Sequence, residues 1–212
     1  MAITEGRVRW SLTVATALVL AHAGTARAGE ETGLSLGARV GYGIPMGDAR
    51  AGISLGDVVS GQVPVQLDAT WRFDRSWRLG LYAQYGFAQV AGAFCPAGAS
   101  CSGDNLRLGV QAAYAFAAAD WSPWIGAGVG VEWQTATVST GGDSSDLRLF
   151  GFEILNLQAG VDWRPSAGLA LGPFASFALG QYRTVTSGGA SESLATALHE
   201  WLQLGVKGTF DL

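Results

Sequence analysis

Apolar and polar residues alternate along most of this chain. Val63, Val65, Leu67, Ala69, Trp71 and Phe73 fall on one face, and Pro64, Gln66, Asp68, Thr70 and Arg72 on the other. After Asp74-Arg75-Ser76 the period of two resumes, with Trp77, Leu79, Leu81, Ala83, Tyr85 and Phe87 against Arg78, Gly80, Tyr82, Gln84, Gly86 and Ala88. Successive side chains of a strand point to opposite faces, so 63–87 reads as a hairpin of two eleven-residue strands joined by a three-residue turn. Strands of that length cross a bilayer when tilted, and one apolar face opposite a charge-bearing one suits lipid on a single side.

Six further segments carry the same alternation. The apolar positions are Leu34 to Ile44, Leu106 to Phe116, Ile125 to Trp133, Leu155 to Trp163, Leu169 to Leu179 and Leu202 to Leu212, each taken at every second residue with local gaps. Between the eight strands, long polar stretches (45–62, 91–104, 139–146, 187–193) alternate strictly with short connections (74–76, 117–123, 165–168). The expected fold is all-β, an eight-stranded antiparallel transmembrane β-barrel over residues 29–212. Its short turns and both termini would lie in the periplasm and its long loops outside a bacterial outer membrane. A soluble eight-stranded barrel of the lipocalin kind would turn the same two faces the opposite way. Two features favour the membrane sense. The charge-bearing face is rich in glycine and small residues, which suits a narrow interior. The apolar face is aromatic mainly at the strand ends, with Trp71, Phe73, Trp77, Tyr114, Phe116, Trp163 and Phe210 toward the short turns and Tyr42, Tyr85, Phe87 and Trp133 toward the long loops.

Composition fits this sense. Only 14% of the 212 residues are charged, with 31 glycines and eight tryptophans, and no apolar run outside the N-terminus is long enough for a membrane helix. Residues 1–28 read as a signal peptide, with Arg7 and Arg9 ahead of the apolar stretch Trp10 to Leu20 and a small-x-small site at Ala26-Arg27-Ala28. That segment holds three of the 13 Lys and Arg and one of the 17 Asp and Glu, so the remainder carries ten against sixteen. With no basic run left, nucleic acid is not an expected partner. In an exported chain Cys95 and Cys101, with five residues between them, read as a disulfide closing one small loop. Metal binding is a poor alternative, because His199 is the sole histidine outside 1–28.

The remaining chemistry lies on the inward face. Counted from the outer ends, Arg39 and Asp68 stand at similar depth on neighbouring strands, as do Arg107 and Glu132 nearer the outer rim. Arg72, Arg78, Asp162 and Lys207 gather toward the periplasmic end. A charge inside a narrow barrel must be paired or hydrated, so these residues read either as a structural filling or as a constricted polar pathway for small solutes. Inward Tyr82, Phe174 and Trp201 would line a path for apolar ones. Glu153 and Glu200 fall on the outward register at loop-proximal strand ends, which fits strands projecting into the sugar headgroups or, alternatively, a bulge that shifts the register. The series Gly126, Gly128, Gly130 sits inside a strand and is no phosphate loop. No nucleophile, catalytic residue, metal set or cofactor site is expected.

The eight alternating segments, the N-terminal leader and the stretch Gly41-Tyr-Gly-Ile-Pro-Met-Gly-Asp48 together resemble the small outer-membrane β-barrels of the OmpA/OmpX/OmpW-like group. The resemblance covers nearly all of 33–212. It implies the barrel fold, a Gram-negative outer-membrane location, outer-membrane lipid and lipopolysaccharide as surroundings, and delivery by the outer-membrane assembly machinery. Such proteins usually end in an aromatic residue read by that machinery, whereas here Phe210 stands two positions before Leu212. Some barrels resembling this one modify lipid A with a His-Ser pair, but the residue two after His199 is Trp201. No peptidoglycan-binding domain is expected after the last strand. The reading is therefore a non-enzymatic barrel with a structural or surface-interaction role, with a narrow, porin-like channel as the alternative and a lipid-modifying enzyme as a remote one.

Overall fold

The computed structural model describes residues 32–50, 52–116, 120–141, 143–166 and 168–212. The leader expected over 1–28 lies outside them. Among the described residues, ten strands and one helical turn follow in order: β1 (Gly33–Arg50), β2 (Ile53–Ser54), α1 (Leu55–Val58), β3 (Val59–Arg72), β4 (Trp77–Val90), β5 (Ser100–Ala115), β6 (Trp121–Thr140), β7 (Asp143–Ser166), β8 (Leu169–Ser187), β9 (Ala190–Ser193) and β10 (His199–Asp211). Eight of the strands form the wall. Each pairs antiparallel with its neighbour, and β10 pairs with both β8 and β1, closing the sheet into a barrel. Closure leaves no unpaired ladder along the wall, which is what a sheet in hydrocarbon requires. No helix among the described residues is long and apolar enough to cross a membrane.

The stagger follows from the ladders. Partner by partner, Gly37 leads to Asp68, Tyr82, Gly109, Gly130, Glu153, Gly180, His199 and then Gly47, ten residues further along β1. Eight strands sheared this far must tilt by about 35–45° to the barrel axis and leave an interior only wide enough for side chains. The two faces are sorted inside out relative to a water-soluble protein. Leu67, Leu81 and Val206 point outward and are 61%, 62% and 60% exposed, while Arg39, Gln66, Asp68, Gln84, Arg107, Gln111 and Glu132 are buried within. Water would not tolerate so continuous an apolar outer surface, and the lipocalin sense is thereby excluded.

The strands outrun the alternation that predicted them. The stretch 45–62 is not one loop: β1 continues to Arg50, and only β2 and α1 separate it from β3. Pro45 is accommodated because the β1 ladder with β3 stops at Gly43–Gln62, so the missing N–H removes no bond to that strand. Likewise 139–146 forms the tip of a projecting hairpin that turns at Gly141 (φ +62°), with Thr137–Asp146 and Ser139–Ser144 paired across it. Strand β5 starts at Ser100, inside the expected second loop, and β8 runs to Ser187 before the Gly188-Gly189 turn into β9. Beyond the lipid neither face need be apolar, so the ladder persists where the period of two fades. Within the second connection Cys95 and Cys101 are joined, closing the small loop.

Glu153 is the position at which the outward assignment fails. Between Gly128 and Gly130 of β6 two steps face three on β7, from Asn156 to Glu153, and a matching irregularity faces β8. The extra residue is a β-bulge that inverts the alternation. Phe152 and Ile154 are exposed and Glu153 is buried. Glu200 keeps its outward place, half-buried at the loop end and paired with Met46.

Candidate functional site

Below the loop end the interior is filled by layers of buried polar side chains. Its upper layer centres on Arg107 of β5. One guanidinium nitrogen lies 3.4 Å from Glu132 of β6 and another 3.1 Å from Glu153 of β7, all three being at most 1% exposed. Glu132 also accepts hydrogen bonds from Asn105 Nδ2 at 2.6 Å and Tyr182 at 3.0 Å, and His199 Nε2 lies 3.0 Å away. Glu153 accepts from the Tyr82 hydroxyl and from Asn156 Nδ2. The Arg107 guanidinium sits over the Trp201 indole, 5.6 Å from its centroid, and the Tyr182 and His199 rings stack at 4.0 Å. Two carboxylates thus share one guanidinium, and amide and hydroxyl donors reach one oxygen of each.

The glycines of β5 and β6 make room for this layer. A Cβ on Gly130 would stand 2.8 Å from the Tyr82 hydroxyl and 2.5 Å from the Leu108 carbonyl oxygen, and one on Gly109 would collide with the same hydroxyl. The ring of Tyr82 therefore lies in a slot that only glycine leaves open. Gly130→Ala should lower barrel stability by about 1–3 kcal/mol through overpacking, read as an earlier urea midpoint for the refolded protein. An unchanged midpoint would show that Tyr82 is free to move aside.

The middle layer joins Arg39 of β1 to Asp68 of β3, with Nε donating to Oδ2 at 2.7 Å. Gln66 and Gln111 both donate to the other oxygen at 2.7 Å, and the Arg39 Nη atoms reach Gln158 and Gln111. Trp124 and Phe174 flank the guanidinium, each ring centroid 5.5 Å away. Lower down, Asp162 receives Lys207 Nζ at 3.2 Å and Trp124 Nε1 at 2.9 Å, with Arg78 3.7 Å away. Arg72 does not join that cluster. It pairs at 3.0 Å with Asp211, which also binds Ser35 and lies 3.5 Å from Arg164.

All eight charges singled out from alternation therefore face inward. Arg39 meets Asp68, Arg107 meets Glu132, and Arg78 and Lys207 meet Asp162. The residues that alternation did not nominate include Glu153, hidden by the bulge, Asp211 at the chain's far end, and the hydrogen-bonding partners Asn105, Gln111, Gln158, Tyr182 and His199. Their inward positions follow from the period of two, but their convergence depends on the ten-residue stagger, which only the ladders reveal.

The loop end is closed by apolar groups. Leu55 and Val58 of α1, with Val59 and Ala49, pack on Leu149, Ala178, Tyr182 and Trp201 directly above the Arg107 layer. Ser54 caps α1 by accepting from Gly56 N–H. At the opposite end Asp74 accepts from the N–H groups of Ser76 and Trp77 at 2.7 Å, which holds its carboxyl below the usual carboxylate range and fixes the first short turn.

No protein-family model and no curated protein matches the sequence. Solved structures do match in fold. Neisserial surface protein A superposes with a TM-score of 0.51 at 18% identity, over 84% of this chain and 98% of that one. A major outer membrane protein from Thermus thermophilus superposes with a TM-score of 0.56 at 12% identity, over 85% and 99%.

Proposed function

From the fold of a small eight-stranded bacterial outer-membrane β-barrel, we propose that this chain is a non-catalytic integral protein of that membrane. Its lumen is filled, and its role is structural or is exercised by the loop end at the cell surface. Both termini would face the periplasm, since Gly33 and Asp211 lie with the short turns. The outer apolar band would meet membrane lipid and, in the outer leaflet, lipopolysaccharide, and β10 would be the strand presented to the assembly machinery. The observation that carries this reading is the interior. Ion pairs at three depths, braced by glutamines and roofed by the α1 cluster, support a plug rather than a pathway. The surface chemistry at the loop end is acidic, with Asp48, Asp57, Asp143, Asp146 and Glu192 exposed against Arg50, Arg148 and Arg183. A binding partner there would be basic or bridged by divalent cations.

Planar-bilayer recording tests the plug. The intact barrel should give no steady conductance, and Arg39→Ala, which removes the middle pair, should produce stepwise openings. A steadily conducting wild-type barrel would favour the narrow-channel reading. A silent Arg39→Ala with unchanged stability would remove Arg39–Asp68 from the plug.

A further inference from the structure

We propose that the lower interior binds a small monovalent anion of halide size. A cavity of about 30 Å³ lies between the middle and lower layers, lined by Arg39, Arg78, Lys207, Thr209 and Trp124 and by Asp68, whose two oxygens are already taken by Arg39, Gln66 and Gln111. That volume is enough for a halide-sized ion with a water.

Charge balance points the same way. Around the cavity the buried cations Arg39, Arg78 and Lys207 face the buried carboxylates Asp68 and Asp162, among the described residues, while Arg72 and Arg164, partly exposed at the short-turn end, share Asp211. Each of these carboxylates is already engaged. Asp68 is held by Arg39, Gln66 and Gln111, Asp162 by Lys207 and Trp124, and Asp211 by Ser35 and Arg72. The excess positive charge therefore has no counterion left among the described residues. The upper layer has the opposite balance, two carboxylates to one guanidinium, but lies beyond the glutamine layer.

Donors remain as well as charge. Thr209 Oγ1 and Arg78 Nε have no hydrogen-bond partner among the described residues, and both side chains line the cavity while more than nine-tenths buried. An uncompensated charge in low dielectric costs several kcal/mol, and a lipid-wrapped wall excludes counterions from the sides. An anion beside Arg78, Lys207 and Thr209 answers both deficits, whereas water answers only the second. Access would be from the short-turn end, where the side chains of Arg72 and Arg164 are 18% and 27% exposed. This site does not depend on whether the lumen conducts.

The test is crystallographic. Crystals of the detergent-solubilised barrel grown in sodium bromide, measured at the bromine edge, should show an anomalous peak in the cavity near Lys207 and Thr209. Lys207→Gln should weaken bromide about tenfold, the loss of one charge-assisted contact, and Thr209→Val should reduce occupancy while keeping every charge. Bromide on the outer surface alone, water alone in the cavity, or a lumen peak unchanged in Thr209→Val and in Lys207→Gln would each overturn the proposal. Because Thr209→Val leaves the ion pairs intact, it decides the matter even where Lys207→Gln does not fold.

Discussion

Replacing Arg107 with alanine should cost the folded barrel about 3–5 kcal/mol, the usual penalty for stripping one partner from a buried ion pair. The reason is what remains. Glu132 and Glu153, each about 1% exposed, would face one another without the guanidinium that lies 3.4 and 3.1 Å from them. Asn105 and Tyr182 would still donate to Glu132, and Tyr82 and Asn156 to Glu153, but neutral donors do not cancel two like charges. The measurement is the urea midpoint of the barrel refolded into lipid vesicles, followed by the buried Trp201. Removing all three charges together, as Arg107→Met with Glu132→Gln and Glu153→Gln, should be much milder, because paired burial is close to neutral when both sides go. If Arg107→Ala unfolds at the wild-type midpoint, the upper layer is hydrated and contributes little.

The second large effect concerns the outer face. Leu81 of β4 lies midway between Trp77 and Tyr85 and is 62% exposed. Arginine at the bilayer midplane of a barrel costs about 2–4 kcal/mol, falling to about 0–1 kcal/mol near the interfaces. Leu81→Arg should therefore destabilise strongly, while Leu34→Arg, at the short-turn end of β1, should be nearly silent. The contrast in vesicle-unfolding midpoints measures depth. Equal and negligible effects at both sites would mean that the outward face meets water, and the membrane reading would fall.

How legible was this in the sequence? The sorting of faces was, because a period of two held over eleven residues in 63–73 and again in 77–87 leaves few ways to place Asp68, Arg72 or Arg78. The pair Arg39–Asp68 could be nominated because β1 and β3 are consecutive in the wall and shift little against each other. Arg72 was harder. Its carboxylate is Asp211 at the other end of the chain, and that meeting depends on where the ring closes. Strict alternation put Glu153 outward, and the bulge offered as the alternative is what the ladder shows, one extra residue on β7 inverting the pattern above Asn156. A bulge leaves no compositional mark of its own. Loop-end strand limits were equally hidden, because paired strands outside the membrane need not alternate. The glycines of β6 were visible as a series, but their purpose became clear only with the Tyr82 ring laid across them.

The seam between β1 and β10 has a kinetic meaning. Ser35 meets Asp211 across 176 positions of sequence, and Arg72 meets the same carboxylate across 139. Contacts of such high order form only after long loops have closed, so they come late and slowly. Until then β1 and β10 are open edges, able to pair with any strand they encounter. Pairing of β10 with β1 abolishes both edges at once. The trio Ser35, Arg72 and Asp211 thus acts as a latch that records completion of the ring, and its formation should be among the final events of assembly.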